Sequence, residues 1–217
     1  MLFPTYVVDN FFEDPDEVIN LASTLKYKSD PEGRWPGKRS DNLFNIEPVF
    51  FDYITNKIMR LIFPYTIEDV RWNAHSNFQL FDCKKEVHEG WVHKDIDCQL
   101  SAIIYLSRHQ GCGTSLFQPK KFARNFYPGK IKEEYYSMNK KFDDRYFNAL
   151  NDHNSKFEKT LEIENVFNKL ILFDAHQWHA ANGFFDKKVT EGRLTLVVFF
   201  NTIFGPNIKF PMPEMRR

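Results

Sequence analysis

The sequence predicts an α+β fold, mainly β, with a β-sandwich or barrel core. Three observations predict it. The first third carries two runs with apolar residues at helical spacing, and the rest carries short β-branched and aromatic segments cut by turn residues. Between those segments lies one charged, Tyr/Phe-rich stretch, with no internal repeat and no clear linker, so helices followed by strands form one unit.

The elements follow in order. "YVVDNFF" reads as a short strand. In "DPDEVINLASTLKY", Asp14 is the expected N-cap and Pro15 the first helical residue, with Val18, Ile19, Leu21, Ala22 and Leu25 on the buried face. "KSDPEGRWPGKRSDN" is a loop by its Pro, Gly and Asp content, and its Arg34–Asp41 part either covers a site or is simply exposed. "VFFDYITNKIMRLIF" reads as a second helix burying Tyr53, Ile54, Ile58, Leu61 and Ile62 and ended by Pro64. The strands are "VRWNAHSNFQLFD", "QLSAIIYLS", "TSLFQP", "NKLILFDA" and "RLTLVVFFNTIF". Residues 131–151 read as a helical or irregular excursion.

Composition narrows the function. Of 217 residues, 42% are hydrophobic and 23 are Phe, which supports a buried core and argues against disorder. Lys+Arg and Asp+Glu are both 29, so the broad positive field of a nonspecific nucleic-acid binder is missing and no nucleic-acid partner is expected. The start has no basic, apolar and small-residue sequence of a signal peptide, and no stretch approaches a membrane span. Cys83, Cys98 and Cys112 are odd in number and widely spaced. The expectation is a reduced, soluble, cytoplasmic protein with no membrane partner.

One constellation carries chemistry. In "WVHKDIDC", His93 and Asp95 are two apart, so an extended segment projects both from one face. Alone, such a pair is weak. A third ligand is expected from "KLILFDAHQWHAANGFF", where an apolar strand runs into a loop holding His176 and His179. Fourteen residues past His179 comes Arg193, opening the last strand, with Thr195 on the same face. Two imidazoles and one carboxylate leave three positions open on an octahedral ion, which suits Fe(II) that must bind a cosubstrate and O2. An arginine supplies a fork for a carboxylate. Lys94 is expected to point away from the ion, and Asp97 tests where the ligand segment ends.

These residues resemble the Fe(II)/2-oxoglutarate-dependent dioxygenases, in particular the branch similar to prolyl 4-hydroxylases. "WVHKDIDCQLSAIIYLSRHQGCGTSLF" resembles that branch's His-x-Asp, its apolar strand ending Tyr-Leu and its Gly-Gly-Thr, with Cys112 preceding Gly113 and Thr114 here. "LILFDAHQWHAANG" resembles the strand leading to the distal histidine, six residues after Phe173, which selects His179 over His176. "DNFFEDPDEVINLA" also resembles the N-terminal helix entry of related oxygenases.

The resemblance implies that His93, Asp95 and His179 bind Fe(II). It implies that Arg193, helped by Thr195, pairs with the distal carboxylate of 2-oxoglutarate, and that Tyr105 contacts that cosubstrate. The implied fold is a double-stranded β-helix, a jelly-roll or cupin-like core with N-terminal helices packed on one sheet. One domain would span 1–217, with a helical region at 1–68, a core at 69–204 and an insertion at about 119–159. The implied reaction decarboxylates 2-oxoglutarate to succinate and CO2 while O2 hydroxylates a C–H of a peptidyl residue or small metabolite. A cupin-type metal enzyme without 2-oxoglutarate and a non-catalytic jelly-roll module remain as alternatives.

The other candidates have plainer readings. His88 reads as a surface or substrate-side residue, and His75, His109 and His153 receive no role. Trp91 and Trp178 flank the ligand segments as pocket walls or as core.

Overall fold

The structure is a computed structural model that describes residues 4–81, 89–95, 97–108, 111–120, 129–137, 141–183 and 192–205. Strand β1 (Tyr6–Val8) leads to helix α1 (Pro15–Thr24). Asp14 caps that helix, its Oδ1 accepting from the amides of Asp16 and Glu17, with Pro15 at the first position as expected. A short hairpin of β2 (Tyr27–Ser29) and β3 (Lys38–Ser40) stands where a loop was expected. Its strands are too short to show alternation, and the pairing of β3 with the next long strand fixes them.

Helices α2 (Leu43–Ile46) and α3 (Pro48–Ile62) follow. In α3 the buried residues are Phe51, Ile54, Thr55, Ile58 and Met59, a regular i, i+3, i+4, i+7, i+8 stripe. Tyr53 and Leu61, expected inside, are 46% and 36% exposed. The stripe is rotated because Thr55 can be buried, its hydroxyl donating to the Phe51 carbonyl at 3.0 Å.

The strands β4 (Arg71–Phe81), β5 (Leu100–Tyr105), β6 (Thr114–Pro119), β8 (Leu170–Asp174) and β10 (Arg193–Phe204) fall on the five expected segments. The excursion is two helices, α4 (Gly129–Ser137) and α5 (Asp144–Asn154), packed around Tyr135, Phe142, Tyr146, Leu150 and Trp91. Two strands were not expected, β7 (Phe157–Ile163) and β9 (Trp178–Ala181). β7 shows five consecutive exposed residues, so no apolar alternation marks it, and its first residues fall inside the stretch expected as insertion. β9 holds His179 in a strand rather than a loop.

The strands form two antiparallel sheets, one of seven in the order β1-β8-β5-β10-β4-β3-β2 and one of three in the order β7-β6-β9. The outer face of the large sheet carries Phe78, Leu100, Ala102, Ile104, Leu196 and Val198, and α1 and α3 pack on it through Val18, Ala22, Ile54 and Ile58. The N-terminal helices thus cover one sheet, as expected, and the opposite face is left for the interior between the sheets. No helix among the described residues is long and apolar enough to cross a membrane.

Candidate metal centre and cavity

His93 and His179 meet through a two-hydrogen-bond antiparallel bridge: each amide donates to the other's carbonyl at 2.9 Å. His179 is on β9, held by β6, and the Asp95 amide donates to the Ala175 carbonyl at 2.9 Å. Backbone pairing therefore places all three side chains. The Asp95 carboxylate lies 3.7 Å from His93 Nε2 and 3.5 Å from His179 Nε2, and one donor atom from each residue lies within 4.8 Å of the others. A first-row ion with ligand distances of about 2.1 Å spaces neighbouring donors by about 3 Å, so a small contraction closes this set on an ion.

Both imidazoles are pre-set. His93 Nδ1 donates to the Trp91 carbonyl at 2.8 Å and His179 Nδ1 to the Gln177 carbonyl at 2.9 Å. A carbonyl only accepts, so the proton is on Nδ1 and the Nε2 lone pair faces Asp95. Burial pulls His93 down to about 3, which keeps it neutral and able to ligate. Burial pushes the Asp95 carboxyl up, but His179, His93, the Ser101 hydroxyl and Arg39 outweigh it and hold the group below its ordinary value. Ser101 Oγ donates to Asp95 Oδ2 at 2.7 Å. Two imidazoles whose Nε2 atoms face one carboxylate form a donor set suited to a divalent cation.

Helix α5 supports the ligand segment from behind. His153 Nε2 donates to the Val92 carbonyl at 2.7 Å, while Asn154 accepts from the Val92 amide and donates to the Gly90 carbonyl. Trp91 packs edge-on against Tyr146 and donates its Nε1–H to that hydroxyl at 3.0 Å. Trp91 thus belongs to the core and to the wall at once.

The triad opens on a cavity of about 520 Å³. Strand β10 faces it with Arg193, Val197 and Phe199, matched in register by Phe81, Asn77 and His75 on β4 and by Ile103 and Ser101 on β5. Arg193 is buried, its Nε donating to the Cys112 carbonyl at 2.7 Å and its guanidinium 5.7 Å from the Tyr105 ring. Thr195 pairs with Tyr105 in register, and the Tyr105 hydroxyl donates to Thr114 Oγ1 at 2.8 Å. Burial raises Tyr105 above its ordinary value, so it stays protonated. Thr195 Oγ1 is buried with no hydrogen-bond partner among the described residues. Such an orphan costs stability and marks a place where a polar group of a ligand belongs.

Of the sequence candidates, His93, Asp95, His179 and Arg193 line the cavity, with Thr195 and Tyr105 packed behind Arg193. Lys94 turns its ammonium over the Trp178 ring at 4.7 Å, and Asp97 meets Asn201 through its backbone carbonyl. The His176 amide donates to Asp174 Oδ1, outside the triad. His88, His109 and Cys83 lie outside the described residues. Ser101, Lys132, His75 and the supporting His153 were missed, while Trp35 and Arg39 entered only as part of the Arg34–Asp41 stretch. Only Ser101 left a signal, as a serine inside an otherwise apolar strand. The Arg34–Asp41 stretch contributes Arg34, Trp35, Pro36 and Arg39 to the cavity wall, the less favoured of its two readings.

The profile of a family of unknown function, DUF6445, matches residues 3–200. The chain belongs to this family. No curated protein matches the DUF6445 chain by sequence. Among solved structures, it is similar to a prolyl hydroxylase from Trichoplax adhaerens in complex with a hypoxia inducible factor peptide, at 12% identity, with 90% of this chain and 82% of that one covered and a TM-score of 0.52. HygX from Streptomyces hygroscopicus, with nickel, 2-oxoglutarate and hygromycin B bound, matches at 13% identity over 94% and 83%, with a TM-score of 0.51. EvdO2 from Micromonospora carbonacea var. aurantiaca, complexed with 2-oxoglutarate, matches at 11% identity over 96% and 91%, with a TM-score of 0.53. The chain has the double-stranded β-helix fold of the 2-oxoglutarate/Fe(II) oxygenases to which it is similar.

Proposed function

We propose that the chain is a non-haem Fe(II)- and 2-oxoglutarate-dependent oxygenase that hydroxylates a C–H of a small metabolite or peptidyl residue. One observation carries this reading: His93 Nε2, His179 Nε2 and the Asp95 carboxylate converge from two backbone-paired segments, with both Nδ1 protons already committed to carbonyls. The three residues offer one face of ligands to an iron ion. Bound there, iron and 2-oxoglutarate would supply the oxidising equivalents for O2-dependent hydroxylation, with succinate and CO2 released.

The protein's own residues account for the rest. The Ser101 hydroxyl steadies the Asp95 carboxylate. The Arg193 guanidinium, anchored through Nε to Cys112, is set to fork a carboxylate, and the Thr195 hydroxyl beside it gains the partner it lacks. Tyr105 and Thr114 form the polar floor next to them, and Val197 and Ile103 line the stretch between Arg193 and Ser101. These apolar walls exclude water around the reacting groups.

The test is anaerobic titration of the protein with Fe(II) and 2-oxoglutarate. The expected result is a visible metal-to-ligand charge-transfer band that is lost in His93→Ala and Arg193→Gln. No band in the wild-type protein overturns the reading. Metal binding that survives Arg193→Gln with no dependence on 2-oxoglutarate indicates a metal enzyme of another type.

A further inference from the structure

The mouth of the cavity holds two cations that the reaction described above does not use. Arg39, on β3, lies opposite Gln79 in register and reaches over the Phe199 ring at 5.4 Å, with the Trp35 ring at 4.3 Å. Lys132, on α4, is 8% exposed and lines the same cavity, its helix packed against Gly33 at the start of the stretch that carries Trp35 and Arg39. The Arg39 backbone is level with Thr195 across Gln79, but its guanidinium extends toward Phe199, which is four residues from Thr195 and six from Arg193 on β10.

Neither cation has an ion pair among the described residues. Arg39 makes one hydrogen bond, a 3.3 Å contact from Nη2 to Gln79 Oε1, and its Nε is buried with no partner among the described residues. Lys132 has no hydrogen bond or ion pair among the described residues, and its one ring neighbour is Tyr136 at 6.0 Å. The indole N–H of Trp35, against the Arg39 guanidinium, is also buried without an acceptor among the described residues. Asp95 and Asp30 act on both cations and Glu133 acts on Lys132, but the Asp95 carboxylate is engaged with Ser101 and the two imidazoles and Asp30 with Arg34. Burial pulls Lys132 down to about 8 and Arg39 down to about 10. A fold keeps buried donors and charges in this state where a ligand completes them. Elsewhere on the cavity wall, Arg34 is paired with Asp30 and Glu32, and Lys94 lies over Trp178.

We propose that the substrate is a small molecule bearing a carboxylate or phosphate, and that Arg39 and Lys132 grip this anion at the cavity mouth with the Trp35 N–H as a third donor. The inference rests on the oxygenase reading for what happens to the substrate, but not for the anion site itself. The guanidinium lies between the Trp35 and Phe199 rings and is tied to Gln79, whose Nε2 in turn donates to the Pro36 carbonyl at 2.9 Å. A planar donor held in this way orients an oxyanion instead of merely attracting it. The anion would anchor one end of the molecule, and the aromatic walls at Trp35, Phe199 and Trp178 would cover its body near the triad. A cavity of about 520 Å³ falls within the range of small-molecule sites.

The test is calorimetric titration of the full chain with phenylacetate, phenyl phosphate and the neutral phenylacetamide, which separates carboxylate, phosphate and uncharged arms. At least one anion is expected to bind about tenfold or more tighter than the amide, and Arg39→Gln and Lys132→Met are each expected to weaken it by about tenfold or more. The same two variants should hold 2-oxoglutarate on the Fe(II)-loaded protein within about threefold of wild type, while Arg193→Gln should lose it and keep the anion. Lys132→Met should melt no lower than wild type, because it removes an unpaired buried charge, so lost binding in that variant is not lost folding. Equal binding of the amide, no binding of either anion at millimolar concentration, or anion binding that survives both substitutions overturns the proposal. So does loss of 2-oxoglutarate binding in Arg39→Gln, which would assign the mouth cations to the cosubstrate. If wild type fails to bind Fe(II) with 2-oxoglutarate while the anion still depends on Arg39 and Lys132, the oxygenase reading falls and the anion site stands.

Discussion

The His93 and His179 backbones exchange two 2.9 Å hydrogen bonds, so the two candidate ligands form one rung and their rings lie 4.4 Å apart before any ion is considered. The site's geometry is thus carried by main chain, and the side chains can be altered without dissolving it.

Removal of any one ligand should therefore cost metal and not fold. His93→Ala, Asp95→Ala and His179→Ala are each expected to weaken divalent-metal binding by about 100-fold or more, about 2.7 kcal/mol, with the far-UV circular dichroism unchanged. Lys94→Ala and Asp97→Ala should stay within about threefold of wild type, since the Lys94 ammonium faces Trp178 and Asp97 contributes only its carbonyl. Competition with a chromophoric chelator measures all five. A loss in Asp97→Ala equal to that in Asp95→Ala would move the end of the ligand segment.

Ser101 acts one step back from the ion. With its 2.7 Å hydrogen bond deleted, Asp95 Oδ2 loses a donor in a buried site, and Ser101→Ala should weaken metal binding by about 10- to 100-fold. The same competition assay reads it, and affinity equal to wild type would show that the hydroxyl does not hold the carboxylate.

Thr195→Val should separate stability from ligand binding. The buried hydroxyl lacks a partner, and such a group costs about 1–3 kcal/mol, so the isosteric valine should raise the melting temperature of the ligand-free protein by a few degrees. The affinity for 2-oxoglutarate, read from the charge-transfer band, should fall by about tenfold. A lower melting temperature, or unchanged 2-oxoglutarate affinity, would remove Thr195 from the site.

Acid should loosen the ligand segment through His153. Burial holds its folded pKa below the ordinary 6.5, so the unfolded chain binds the extra proton first. Its contribution is complete above about pH 6.5 and is lost as the pH falls below that value toward the folded pKa. His93 shifts in the same direction, so in the metal-free protein the two effects add. Melting curves from about pH 8 to about pH 5 should show a smaller decline for His153→Gln than for wild type. Equal slopes would mean that the Val92 contact is not made by a neutral imidazole.

Much of this arrangement was legible in the residues, for physical reasons that can be named. The five strongest strands announced themselves because each is buried on at least one face and rich in β-branched or aromatic residues. Asp14 and Pro15 marked the start of α1 because capping is local chemistry. The His93–Asp95 and Arg193–Thr195 pairs could be read because extended segments project alternate residues, whereas the resemblance selected His179 over His176. The strands β7 and β9 were hidden, since one is exposed along its middle and the other is four residues held by its neighbours. Lys132 was equally hidden, and Arg39 was legible only as part of a stretch with two readings. A charged residue in a turn-rich or charged stretch reads as solvated surface, and only the packing of β3 against β4 and of α4 over the cavity turns them inward.

The alternation of β10 has a further consequence, for folding. Arg193, Val197 and Phe199 face the cavity, with Thr195 on the same side of the strand, while Leu194, Leu196, Val198 and Phe200 meet the helix-covered layer. A slip of one residue would exchange the two sets and press the Arg193 guanidinium into a layer of leucines, where an unpaired charge costs several kcal/mol. The buried arginine at the start of β10 thus rejects the misaligned sheet while the barrel is assembling.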